Sequence, residues 1–333
     1  MENKMKLKTL AVAVALTAAG SQAFATELYS QNGGTLEMGG RAEARLSIMD
    51  GEGADKSRAR INFLGKQEIN SNGLYGVGYW EGEFKSKKAT SEGVAAVRDT
   101  HGNVLVGATA SESDSTYLET RYLYAGMGGK FGEITYGKND GALGVITDFT
   151  DIMSYHGNNA AVKLTVADRA DDMISYKGQF DNLGLKASYR FEGQEGQDQD
   201  GYSLSATYAF ADTGFEIGAG YADEESLDEF MLAAGYTIGN FYMGANYTGG
   251  DFVEADYEAF ELAAAYTMNK TVFSATYNNG DLENDEVVDA LAIDVTYYFK
   301  PNFRGYASYN FDLLDEEGSD DQDELALGLR YDF

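Results

Sequence analysis

Asp323-Glu324-Leu325-Ala326-Leu327-Gly328-Leu329-Arg330-Tyr331-Asp332-Phe333 is the last stretch of the sequence, and its reading decides the fold. Leu325, Leu327, Leu329, Tyr331 and Phe333 alternate with Glu324, Ala326, Gly328, Arg330 and Asp332. A two-residue period is that of a strand with one apolar and one polar face. A water-soluble sandwich produces the same alternation, so the number of copies and the compartment must choose.

The pattern recurs along the chain. Tyr202, Leu204, Ala206, Tyr208 and Phe210 share one face, with Ser203, Ser205 and Thr207 opposite. Phe230, Leu232, Ala234, Tyr236 and Ile238 repeat it, as do Leu291, Ile293, Val295, Tyr297 and Phe299. Aromatic residues stand at the ends of the apolar face and aliphatic residues or Ala in its middle, the order that a bilayer imposes on a spanning strand. Short links (211–213, 239–240, 269–270, 300–302) alternate with longer acidic ones (192–200, 222–228, 249–256, 279–289, 312–323). The spacing predicts sixteen strands: 35–48, 57–70, 73–84, 117–127, 132–139, 169–180, 183–192, 201–210, 214–222, 228–238, 241–249, 257–268, 271–279, 289–299, 303–312 and 323–333.

The other end of the sequence supplies the compartment. Lys4, Lys6 and Lys8 precede an apolar run from Leu10 to Ala19 and a small-x-small triad, Ala23-Phe24-Ala25. This predicts a cleaved signal peptide over residues 1–25 and one mature domain, 26–333. Without residues 1–25, which hold three Lys and one Glu, the chain keeps 22 basic and 53 acidic residues, a formal charge of −31. That charge excludes nucleic acid as a partner, while 24 Tyr and 18 Phe argue against disorder. Cysteine is absent, and a single Pro with 40 Gly suits long strands joined by glycine turns. No linker divides the chain.

Only a closed barrel lets strands face lipid without orphaned backbone groups. The expected fold is therefore all-β, a transmembrane antiparallel β-barrel of sixteen strands around a wet lumen. A polar inner face accounts for the mean hydropathy of −0.36. Two connections break the rhythm of short and long links. Residues 85–116 are polar and unpatterned. Residues 140–168 hold Leu143, Val145, Ile146, Phe149, Ile152 and Met153, too apolar to extend into water, so this third loop is expected to fold onto the inner wall and narrow the channel.

At this point the chain resembles the general, non-specific porins of Gram-negative outer membranes, along essentially its whole mature length. The resemblance is carried by Met38-Gly39-Gly40-Arg41-Ala42, Ser57-Arg58-Ala59-Arg60-Ile61-Asn62-Phe63 and Thr120-Arg121-Tyr122-Leu123-Tyr124-Ala125-Gly126. It continues in Phe131-Gly132-Glu133-Ile134-Thr135-Tyr136-Gly137-Lys138, in Thr150-Asp151-Ile152-Met153 and in the terminal Phe333. It implies a homotrimer, a second loop (85–116) latched onto the neighbouring subunit, and an assembly signal at Phe333 read by the barrel-assembly machinery. It also implies a constriction in which Arg41, Arg60, Arg121 and Arg169 on the wall oppose loop carboxylates. Asp151 matches one of these; Tyr155 occupies the place of the other, and Asp148 is the candidate to compensate.

The expected activity is passive diffusion of small hydrophilic solutes and ions. Glu43, Glu81, Glu83, Asp294, Glu324 and Asp332 fall on the inward face, and acidic clusters such as Asp223-Glu224-Glu225, Asp315-Glu316-Glu317 and Asp320-Asp321 crowd the long links. Such a field concentrates cations, so cation preference is expected. The loop acids also suit contact with lipopolysaccharide through divalent ions. Two other readings stay open: a barrel whose surface loops contact host or phage, and a sugar-specific channel with Tyr75, Tyr79, Tyr298 and Tyr306 facing inward. No enzyme is expected, because His101 and His156 both lie in irregular links and no base is held against the nearby Ser154. No cofactor or metal is assigned; Asp198-Gln199-Asp200-Gly201 lacks the remaining ligands of a calcium loop.

Overall fold

The computed structural model describes residues 24–85, 118–193, 200–225, 227–252, 255–314 and 322–333, with four short strand segments between 89 and 113. Residues 1–23, on which most of the expected signal peptide falls, most of the 85–116 connection with His101, the 194–199 link and the acidic clusters of 315–321 lie outside the described residues.

Alternation drives the architecture. The strands are β1 (Gly34–Met49), β2 (Arg58–Glu68), β3 (Tyr75–Lys85), β4 (Leu118–Gly129), β5 (Gly132–Asp140) and β6 (Arg169–Phe180). They continue as β7 (Leu183–Arg190), β8 (Gly201–Ala209), β9 (Phe215–Glu224), β10 (Leu227–Ile238) and β11 (Phe241–Phe252). The last five are β12 (Ala255–Met268), β13 (Thr271–Leu282), β14 (Asp285–Lys300), β15 (Phe303–Asp312) and β16 (Glu324–Asp332). Each pairs antiparallel with its neighbours, and β1 pairs with β2 on one edge and β16 on the other, closing a sixteen-stranded barrel. Closure is what satisfies every backbone group of a sheet facing lipid.

Two short strands complete the same sheet. Glu52–Asp55 extends the β1 hairpin, and Thr26–Gln31 pairs with the start of β1. Thr26 lies opposite Met38, while the Phe333 backbone exchanges hydrogen bonds of 3.0 and 2.8 Å with Gly40. The sixteenth stave is thus built end to end from Thr26–Gln31 and β16. Thr26–Gln31 was not among the expected strands, because six residues with no apolar face carry no period to read.

Outward side chains form an apolar band: Leu232, Leu262, Ile293 and Leu329 are 54, 51, 47 and 50 % exposed, an exposure that only a lipid surround makes favourable. Aromatic pairs edge the band at the long-link rim, Tyr202–Tyr221 and Phe260–Tyr277, and at the short-turn rim, Phe241–Tyr266 and Phe299–Phe303. The connection expected over 279–289 is shorter than its composition suggested. β13 and β14 run on to a two-residue turn at Glu283-Asn284, both with left-handed φ (52° and 75°). Above the membrane the outward face no longer needs apolar residues, so the ladder continues where the alternation stops.

Candidate functional site

Inside the barrel, the faces of β1–β4 and β16 carry a checkerboard of opposite charges. Arg41 on β1 stands in register between Asp332 and Arg60, and Arg60 stands opposite Glu83. One row away Glu43 stands between Arg330 and Arg58. Contacts follow that register: Arg58 Nε donates to Glu43 at 2.8 Å, Arg60 Nε to Glu83, and Arg121 Nε to Glu81 at 2.8 Å. Arg330 reaches Asp332 at 2.6 Å. Buried pairs of this kind hold their geometry because removing one partner strands the other.

Arg121 reaches the lumen by a local irregularity. Leu123, Ala125 and Met127 face outward, so strict alternation would turn Arg121 outward as well. A β-bulge against β3 at Thr120/Tyr122 lets both Arg121 and Tyr122 point inward. Arg41, Arg60 and Arg121 line one cavity of about 910 Å³, together with Tyr75, Tyr79 and Val145. Arg169, at the start of β6, lies over the Tyr122 ring with its guanidinium carbon 5.5 Å from the centroid. Glu43, Glu81, Glu83, Asp294, Glu324 and Asp332 are all buried on the inward face.

Segment 141–168 packs against the opposite inner wall. Its one-turn helix α1 (Gly144–Thr147) presents Ile146, flanked by Leu143 and Phe149. These meet a floor of Gly218, Gly220, Gly235 and Gly244 on β9–β11. A Cβ on Gly220 would stand 2.2 Å from Leu143 Cδ2, and one on Gly244 only 2.0 Å from the Phe149 carbonyl oxygen. Leu164 and Val166 pack with Ala222, Met231, Ala233 and Ala259. The lumen wall is therefore not polar throughout: where the segment sits, it is small and apolar.

Carboxylates fasten the segment's backbone. Glu261 accepts from the N–H groups of Ala160 and Ala161 at 2.9 and 3.0 Å and from the Thr150 hydroxyl. Glu229 accepts from Leu164 N–H at 2.8 Å, and Glu224 from Val166 N–H at 3.2 Å. The Tyr242 and Tyr257 hydroxyls donate to the carbonyls of Phe149 and Ala160 at 2.8 and 2.7 Å. Farther along, Tyr155 donates to Glu324 at 2.7 Å, and its ring lies 4.3 Å beneath the Arg45 guanidinium. His156 bridges Ser308 Oγ (2.7 Å) and Glu324 (3.2 Å).

Asp148 and Asp151 are open to the lumen but ringed by protein. That enclosure, followed by the charge of Asp151, pushes Asp148 up to about 6. Enclosure raises Asp151 too, while Lys163 opposes the rise. The cations that act on these acids are Lys163 and Lys186.

Sequence reasoning put Glu224 among the acids of a long link, whereas it ends β9 and is buried against Val166 N–H; it missed Glu229, Glu261, Lys163 and the glycine floor, and of the basic wall Arg45, Arg58, Arg304 and Arg330. Arg58 and Arg45 sit at even spacing from Arg60 and Arg41, and Gly218-Ala219-Gly220 alternates small residues on the inward face. Those signals were present.

The sequence profile of the family described as Gram-negative porin matches residues 9–333. The chain belongs to the Gram-negative porins. It is 54 % identical over 353 residues to outer membrane protein U of Vibrio parahaemolyticus, covering 99 % of this chain and all of that one. Among solved structures it is similar to Salmonella typhi OmpF in complex with daunomycin, at TM-score 0.75 and 21 % identity, over 92 % of this chain and all of that one. It is also similar to the trimer form of in-vitro-folded Vibrio cholerae OmpT, at TM-score 0.66 and 19 % identity, over 90 % of this chain and 99 % of that one. This porin is an outer-membrane channel for general diffusion, and its relatives are channels rather than enzymes.

Proposed function

We propose that segment 141–168 is the constriction of a cation-preferring channel, with Asp148 and Asp151 facing a basic wall of Arg41, Arg60, Arg121 and Arg169. The observation that carries this reading is the fastening of the segment to inward side chains from β8 to β16, from Ser203 through Glu261 to Glu324. A connection anchored across the lumen narrows it. Opposed charges across the gap order water and disfavour apolar solutes. Cation preference follows from wall glutamates that offset the arginines, and from the surplus of acids over bases in the chain.

The same reading takes the protein as a homotrimer, exported through cleavage after residue 25 and inserted by the barrel-assembly machinery through Phe333. Its acidic rim meets lipopolysaccharide through divalent ions. Tyr79 lies 5.3 and 6.0 Å from Tyr124 and Tyr122, the one observation that favours sugar selectivity. These rings cluster at one place rather than forming a ladder, so general diffusion is the better reading. Single-channel recording of the refolded mature protein under a KCl gradient tests it. Steps closing in threes and carrying mainly K⁺ are expected; Cl⁻ preference would overturn the selectivity, and a barrel that never conducts would overturn the pore.

A further inference from the structure

The cavity before the basic wall runs on to the short-turn rim, where Lys130, Gln179 and Gly184 line it. In a chain of 54 acids and 25 bases, its lining carries six Lys or Arg against three acids. All three acids are engaged. Glu81 accepts from Arg121 and the Tyr79 hydroxyl, and Glu133 from Lys177 and the Tyr75 hydroxyl. Asp140 accepts from the Tyr122 hydroxyl at 2.8 Å. Arg41, Lys130 and Lys186 make no ion pair among the described residues. Arg41 is 9 % exposed with its Nε unpartnered, and Lys186 donates to the Gly141 carbonyl at 2.9 Å.

Four tyrosines from β3 and β4 stand in the same cavity. Tyr75 lies across Gly128, where a Cβ would come within 2.2 Å of its Cζ. Tyr79 packs 5.3 and 6.0 Å from Tyr124 and Tyr122. One row of the sheet runs Tyr75, Gly128, Glu133, Lys177, Lys186, so a ring and an unpaired ammonium share a level of the lumen. We propose that this cavity is a binding subsite for small aromatic carboxylates, whose ring lies on the tyrosine faces and whose anionic group meets Lys130 and Lys186. The site rests on an open lumen, as general diffusion requires, and only Val145 of segment 141–168 lines it. A volume of about 910 Å³ suits a small-molecule site. Ring faces favour offset stacking, and a carboxylate gains a charge-assisted bond from each ammonium. An aromatic cation would find no free carboxylate there. A sugar would find three of the four tyrosine hydroxyls already donated to acids.

The test is current interruption in single channels of the refolded mature protein, with naphthoate as the probe. Naphthoate is expected to interrupt the KCl current with residence times longer than those of cyclohexanecarboxylate, naphthylmethylammonium or maltose. Tyr124→Leu and the double variant Lys130→Gln/Lys186→Gln are each expected to shorten the naphthoate residence about threefold. Lys270→Gln, at a remote short turn, should leave it unchanged. Equal residence of naphthoate and cyclohexanecarboxylate overturns the aromatic half of the proposal, and longer residence of the ammonium or the sugar overturns the ligand class. This comparison of probes needs only the parent protein, so it decides the matter even where a variant fails to fold. Channels that conduct KCl and are never interrupted overturn the site and leave the pore intact. In a barrel that does not conduct, equilibrium dialysis of naphthoate reads the site separately from the pore: retention reduced by Tyr124→Leu supports it, and retention equal in parent and variant overturns it.

Discussion

The inner faces of β1–β4 and of β9–β12 obey the same alternation and do opposite things. On β1–β4 the inward residues are long and charged, pair with one another across the strands, and leave a cavity of about 910 Å³ before them. On β9–β12 they are mostly small or uncharged, with Glu224, Glu229 and Glu261 among them, and the space before them is filled by segment 141–168. A glutamate facing an arginine completes an ion pair; Glu229 and Glu261, among small residues, accept instead from the segment, through its N–H groups and, for Glu261, the Thr150 hydroxyl. What an inward carboxylate does is set by the size and charge of its neighbours.

That contrast can be broken most severely at the floor. Gly220→Val puts a side chain where Leu143 sits. It is expected to cost about 1–3 kcal/mol if the segment stays, or to unseat it and change single-channel conductance about twofold. Thermal unfolding and bilayer recording distinguish these outcomes, and a variant identical to the parent in both would mean that the glycine floor is not a seat.

Glu261→Gln is next. One amide oxygen cannot replace two carboxylate oxygens that accept from Ala160, Ala161 and Thr150, so a loss of about 2 kcal/mol is expected in urea unfolding. Glu229→Gln, at a carboxylate that accepts a single segment N–H, from Leu164, should cost less. On the charged side, Arg121→Gln leaves Glu81 without its 2.8 Å partner. It is expected to raise the K⁺ over Cl⁻ ratio about twofold without altering stability more than a wall pair does.

The smallest effect is in pH. Asp148 titrates near 6 because of its enclosure and its neighbour Asp151. Its negative charge is therefore lost as pH falls through about 6, and cation preference should weaken between pH 7.5 and 5. A carboxyl raised in the folded state binds more protons folded than unfolded between about 4 and 6, so its contribution to stability falls as pH rises through that window. Asp148→Asn should flatten the pH dependence of the reversal potential; a slope that persists unchanged in the variant assigns it to other groups.

Much of the fold was legible because a barrel strand announces itself twice, through alternation and through aromatic ends. β8, β10 and β15 lie within about two residues of their expected ranges for that reason. β14 begins four residues early, at Asp285, where no lipid enforces the pattern. Arg41 and Arg60 could be placed inward by parity. Arg121, expected inward with them, gets there for another reason: a bulge that reverses parity and is formed by pairing with β3 rather than by local sequence.

The sequence by itself determined which face of each strand meets lipid and which meets the lumen, the number of strands, and the apolar character of segment 141–168. These follow from periods of two residues and from composition, which are properties of neighbours in the chain. Only the tertiary structure decided which wall the segment rests on, which glutamates hold it, and which arginines are already neutralised. Those depend on residues far apart in the chain, from 15 positions for Glu43 and Arg58 to 169 for Tyr155 and Glu324, brought together when the sheet closes and a register is chosen.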